Sequence, residues 1–142
     1  MSEQNFKNHS RYVPMYHFVA YALWLAVFIG SIVNLVNTDP ENLYSASLLV
    51  ALSVLLLIIL WYARAFALKA QDRAIRAEEN LRHFALTGKL LDSRLRMGQI
   101  IALRFAPDNE FVELAKKAAE EKTPAKEIKA AVKNWRADYH RV

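Results

Sequence analysis

The chain has 142 residues, 54% of them hydrophobic, with 19 Lys/Arg against 14 Asp/Glu and a formal net charge of +5. It contains no cysteine, which excludes disulfides and thiolate metal sites. The charge is unevenly placed: up to Ala63 the only charged residues are Glu3, Lys7, Arg11, Asp39 and Glu41, whereas from Arg64 onward 17 Lys/Arg face 11 Asp/Glu.

The lead, residues 1–17, is polar and then rich in rings. Tyr12, Tyr16, Tyr21 and Trp24, together with Trp61 and Tyr62 further on, form an expected membrane-interface belt, because Tyr and Trp combine an apolar body with a polar tip. Pro14 is expected to break the backbone ahead of the first apolar stretch. Two uncharged stretches follow, 18–36 and 43–63, each close to the roughly 20 residues an α-helix needs to cross a bilayer. The first is longer than a signal-peptide core and starts far from the first residue, so it reads as a retained anchor. Only Asn37 to Asn42 separates the two, which makes a tight hairpin. That loop has no Lys or Arg, whereas Lys7 and Arg11 precede the hairpin and Arg64, Lys69, Arg73 and Arg76 follow it. The positive-inside rule therefore puts both termini in the cytoplasm.

Ala22, Ala26, Gly30 and Asn34 share one face of the first span at four-residue spacing. Small residues so spaced let helices approach closely in lipid. Packing inside the hairpin, against Ser47 and Ala51, is the default for this seam, and a partner helix is the alternative. Past Trp61 the helical pattern continues. Ala63, Ala67, Ala70, Ala74, Ala77, Leu81 and Phe84 alternate four and three apart, a heptad-like seam faced by the i,i+4 pairs Asp72/Arg76 and Glu78/Arg82. With no Gly or Pro before Gly88, one helix is expected to leave the membrane as a stalk, Gly88 closing it. Its seam calls for a partner: the chain's own C-terminal helices or a second copy.

The remainder reads as a helical module. Asp92 or Ser93 is expected to cap a short helix through Ile100, Ile101, Leu103 and Phe105. Asp108 is expected to cap the next, with Phe111, Leu114, Ala115 and Ala118 as its apolar stripe. Thr123 is expected to cap a last helix, with Pro124 at its first position, whose stripe is Ile128, Ala131, Val132, Trp135 and Tyr139.

Chemistry-bearing patterns are scarce. The four histidines have no ligand spacing, Thr87-Gly88-Lys89 lacks the upstream glycine of a phosphate loop, and Glu78-Glu79 and Glu120-Glu121 are adjacent on helices, which reads as solvated face. No metal, cofactor or catalytic residue is assigned, and the chain is not read as an enzyme. Apart from His17 at the interface, the spans hold no ionisable group of the kind ion and proton pathways use. Lys116, Lys117, Lys126, Lys129, Lys133 and Arg136 are candidates for contact with anionic lipid or a partner. Six acidic residues between Asp108 and Glu127 dilute that surface and disfavour nucleic acid.

The segments QNFKNHSRYVPMYHF, RAFALKAQDRAIRAEENLRHFALTGKLLD and QIIALRFAPD resemble those of a family of small bacterial membrane proteins. That family, best represented in Bacteroidota, is catalogued as a domain of unknown function, and some members carry an ABC-transporter-permease label. The resemblance spans nearly the whole chain. It implies a bacterial origin and a two-span, cytoplasm-facing helical architecture, with no activity or site residues to carry over.

The expected architecture is all-α: an interfacial lead at 1–17, a transmembrane hairpin at 18–63, a stalk helix at 64–92 and a helical module at 93–142. It points to a multi-pass protein of the bacterial inner membrane acting as an interaction or accessory module. Its expected partners are the bilayer and either a second copy or another membrane protein. A small subunit of a transport or channel assembly is the alternative.

Overall fold

The computed structural model describes residues 4–6, 8 and 12–139; Lys7, Arg11 and two of the histidines, His9 and His140, lie outside the described residues. Those described are helical or irregular, with no strand among them. A π-helical stretch, Met15–Ala20, leads directly into α1, Tyr21–Asn37. A single 3-10 turn, Pro40–Asn42, leads into α2, Leu43–Thr87. Then come α3 (Met97–Leu103), α4 (Asp108–Glu120) and α5 (Ala125–Ala131). Met15–Asn37 and Pro40–Thr87 are both long and apolar enough to cross a membrane. Pro14 stands at the head of the first as its N-cap, with helical φ and ψ, so it opens the helix rather than interrupting the chain ahead of it.

The chain divides into two compact units, Tyr12–Ala67 and a second made of Met1–Arg11 with Leu68–Val142. Within the first, three small residues are the buried ones: Ser31, Ala46 and Ser53. Both serine hydroxyls donate to a carbonyl one turn back, Ser31 to Phe28 (2.8 Å) and Ser53 to Val50 (2.7 Å), which satisfies them away from water. Trp24 Nε1 donates across the hairpin to the Ser53 carbonyl (2.9 Å), and the Tyr16 hydroxyl donates to the Leu60 carbonyl. Trp24 also stacks on Phe28, with ring centroids 5.5 Å apart. These polar bonds pin the Met15–Asn37 helix to α2.

In the second unit the core is assembled from Leu91, Leu95, Ile100, Leu103, Phe111, Ala115, Ala118, Ile128 and Val132, with Trp135 against it. The expected α4 stripe is the observed one: Phe111, Ala115 and Ala118 are buried and Leu114 half-buried. The expected helix stop is also observed. Gly88 takes φ +72°, and its N–H bonds the Phe84 carbonyl (2.7 Å), the αL closing motif that glycine adopts without steric cost.

The caps differ from expectation. Neither Asp92 nor Ser93 caps α3; Asp92 folds back on Arg94 (2.7 Å), which holds its carboxyl down at about 2. The α3 N-terminus is closed from inside instead, by Gln99, whose Oε1 accepts from the Arg96 N–H (2.7 Å). Buried Gln99 then donates to the carbonyls of Ala118 (3.0 Å) and Thr123 (2.9 Å), tying three elements together. Asp108 and Thr123 are not N-caps either, since Pro107 and Pro124 hold those positions. The last helix is much shorter than its stripe suggested. It ends at Ala131 because the next N–H groups leave the helical ladder: Lys133 (2.9 Å) and Asn134 (3.1 Å) donate to the Glu110 carboxylate, and Arg136 to the Phe105 carbonyl (2.8 Å).

Two helix ends give a paired test. Lys122, just past α4, sits at φ 53°, a conformation that costs a side-chain-bearing residue on the order of 1 kcal/mol. Lys122→Gly is expected to raise stability by up to about 1 kcal/mol and Gly88→Ala to lower it by about as much, read from chemical unfolding of the full chain in micelles.

Candidate functional site

The second unit holds a charged cleft between the C-terminal half of α2, the α3–α4 junction and the tail after α5. One part, about 530 Å³, is lined by Glu78, Glu79, Arg82, Pro107, Asp108 and Arg136. An adjoining part of about 390 Å³ is reached by Gln71, Ile75, Arg104, Asp138 and Tyr139. Glu79 follows Ile75 by one turn, so the helical period sends both toward the module, and both are buried. Glu78, at the rim of the cleft, is exposed. The reading of Glu78-Glu79 as a solvated face thus holds for Glu78 and fails for Glu79.

Arg82 organises the cleft. Its guanidinium bonds Glu79 (3.1 Å), Asp108 (2.6 Å) and the Ala106 carbonyl (2.7 Å), and lies 4.3 Å from the centre of the Phe111 ring. The expected i,i+4 partner, Glu78, is not among these; Arg82 reaches back three residues because Glu79, unlike Glu78, shares its inward face. A planar fork with several donors suits this role and a lysine would not. Burial pushes the Glu79 carboxyl above its ordinary value, while the hydrogen bond and charge of Arg82 pull it down. Next to it, buried Arg104 pairs with Asp138 (3.0 Å) and stands over the Phe105 ring at 4.7 Å. Asp138 is gripped through its backbone as well: its N–H donates to Gln4 Oε1 (2.8 Å), and Gln4 Nε2 donates to its carbonyl (3.3 Å). The lead and the tail therefore meet in one unit. Guanidinium–carboxylate pairs in this arrangement cross-brace the unit and leave a groove with charges of both signs, Glu78 and Arg136, at its mouth.

Ala22, Ala26, Gly30 and Asn34 are all exposed, and a side chain added at Gly30 meets nothing within 4 Å. The hairpin closes on Ser31, Ala46 and Ser53 instead, so the default role given to the four-residue seam is not the one it plays here. Ala70, Ala74, Ala77, Leu81 and Phe84 are exposed and Ala67 half-exposed, so the heptad seam is not covered by the chain's own C-terminal helices. In the aromatic belt, Tyr12, Trp61 and Tyr62 are exposed, whereas Tyr16, Tyr21 and Trp24 are partly buried, Tyr16 and Trp24 through hydrogen bonds that face the hairpin. Lys116, Lys117, Lys126, Lys133 and Arg136 are exposed and Lys129 partly so; Lys117 lies 3.9 Å from Glu121, and Arg136 turns to the cleft.

The model of a family of unknown function, DUF6526, matches residues 1–142. The chain belongs to that family. No curated protein and no solved structure matches it. The match bears out the resemblance in one respect, that the chain belongs to a family of unknown function, and its coverage embraces both compact units.

Sequence reasoning missed Glu79, Arg82, Arg104, Gln99, Glu110 and the Gln4–Asp138 clasp. For Glu79 and Arg82 a signal was present, since both fall on the helical face of Ile75. For the others the partner lies far along the chain.

Removing Arg82 strands the buried Glu79 carboxylate, so Arg82→Ala is expected to cost about 3 kcal/mol of unfolding free energy, part of which Glu79→Gln restores in the same chain. The two shifted glutamates give opposite pH signatures. Glu79 binds its proton more readily folded than unfolded, so its share of stability grows as pH falls from its raised value toward the ordinary 4.5. The Glu110 carboxyl is lowered, first by the Lys133 N–H and then by Asn134; its contribution is full above 4.5 and fades as pH falls through its lowered value. Denaturation midpoints taken against pH should lose the first component in Glu79→Gln and the second in Glu110→Gln.

Proposed function

We propose that this protein is a membrane-anchored interaction or accessory module of a bacterial inner membrane. Residues 18–63 are its two-span anchor, and residues 64–142 present a basic helical domain to the cytoplasm. The observation that carries this reading is the exposure of uncharged apolar side chains around both helices of the first unit. Leu23, Val27, Leu52, Leu55 and Ile59 are each about half exposed or more, on two segments, Tyr12 to Thr38 and Leu43 to Ala63, that contain no Asp, Glu, Lys or Arg. Such a surface is stable in hydrocarbon and a liability in water. Helices leave no backbone group unpaired there, as a spanning segment requires. The clasp between Gln4 and Asp138 supports placing both ends on one side, and the basic residues from Arg64 to Arg76 support the cytoplasmic side.

A second reading, a small subunit of a transport or channel assembly, is favoured by one feature. Ala22, Ala26, Gly30 and Asn34 offer an open small-residue face beside which another transmembrane helix fits.

Topology is read with single cysteines in a chain that has none of its own. Glu41→Cys should react with a membrane-impermeant maleimide added to spheroplasts, while Ser93→Cys should react only after lysis; the reverse pattern would refute the orientation. Gly30→Leu separates the two functions. An accessory module tolerates it, whereas an assembly subunit loses its transmembrane neighbours, seen as a smaller complex on native electrophoresis.

A further inference from the structure

Residues 68–87 of α2 have two unlike sides. Ile75 and Glu79 are buried, with Gln71, Arg82 and His83 half-buried beside them. About half a turn round the helix, Ala70, Ala74, Ala77, Leu81 and Phe84 are all exposed, Leu81 at 68% and Phe84 at 51%. Their alternation of four and three is a 3.5-residue repeat. A straight helix drifts away from such a repeat, and only a partner wound round it keeps the stripe in contact. In heptad terms Ala74 and Leu81 occupy a, and Ala70, Ala77 and Phe84 occupy d. The flanking e places then fall on Gln71, Glu78 and Ala85 and the g places on Arg73 and Asn80; the charged ones are Glu78 and Arg73, both exposed.

These flanks discriminate between occupants. In a parallel, in-register pair each g residue meets the e residue five positions on in the other chain. Arg73 therefore meets Glu78 of the other copy, and two-fold symmetry makes the contact twice. An antiparallel pair would set g against g and e against e, and the complementarity would be lost.

We propose that a second copy of this chain docks on this face, forming a parallel coiled coil through Ala70, Ala74, Ala77, Leu81 and Phe84 whose direction is read by two Arg73–Glu78 ion pairs. The inference rests on the membrane-anchored reading. Two chains inserted in one bilayer in the same orientation carry parallel α2 helices. Confinement to the membrane raises the effective concentration that an alanine-rich seam of small area requires.

Single cysteines test the contact in the full chain in its native membrane. On mild oxidation Ala77→Cys is expected to link into a dimer, while Arg76→Cys, exposed but off the seam, stays monomeric. In the Ala77→Cys chain, Arg73→Glu should lower the yield severalfold, and adding Glu78→Arg should restore it. Three results overturn the dimer: a membrane-bound chain that does not link at position 77, equal linking at 76 and 77, or a link to a different protein in place of a second copy. A chain missing from the membrane fraction counts against the anchored reading instead, and the pattern of links then decides the dimer by itself.

Discussion

Everything in this protein depends on one helix that does not stop. Between Pro40 and Gly88 there is neither glycine nor proline, and α2 runs through all 45 residues from Leu43 to Thr87. Helix propagation adds a backbone bond for each residue it orders, so an uninterrupted run of good formers carries on across a change of side-chain character. The change is abrupt. The first half has no charge, and the second carries Arg64, Lys69, Asp72, Arg73, Arg76, Glu78, Glu79 and Arg82 within five turns. A single continuous element thus belongs to both compact units, and each unit must satisfy its own part of it.

The two units do so by different physics. In the apolar unit the buried residues are small, and the specific contacts are polar: Trp24 to the Ser53 carbonyl and the hydroxyls of Ser31 and Ser53 to their own helices. Close approach and short-range polar bonds take the place of a hydrophobic core there. In the charged unit a conventional core of Leu, Ile, Phe and Ala is cross-braced by buried guanidinium groups. Breaking such a pair is costly because it leaves a desolvated charge behind. Arg82 does more than pair, since it also caps the Ala106 carbonyl and covers the Phe111 ring, so it aligns α2 with the start of α4. Glu110 and Gln4 work differently, through backbone N–H and carbonyl groups of the tail.

The parts legible in the sequence were those governed by local rules. Gly88 as a helix stop follows from the tolerance of glycine for positive φ, and the Phe111–Ala118 stripe follows from the 3.6-residue period. Capping was less legible, because Pro107 and Pro124 took the N-cap places expected for Asp108 and Thr123. The end of α5 was not legible at all. Ile128, Ala131, Val132, Trp135 and Tyr139 keep a helical period, yet Glu110, more than twenty residues earlier, draws the N–H groups of Lys133 and Asn134 out of the ladder.

The sequence by itself determined the all-α class, the two stretches able to span a membrane, the single long helix and its stop, because each depends on composition or spacing within a few turns. Only the tertiary structure decided which side of each helix is covered. It turned Ala22, Ala26, Gly30 and Asn34 outward in favour of Ser31, Ala46 and Ser53, buried Glu79 while leaving Glu78 exposed, and left the Ala70–Phe84 seam open. Several faces of a helix can satisfy the same periodicity, and the one that is buried is selected by partners distant in the chain.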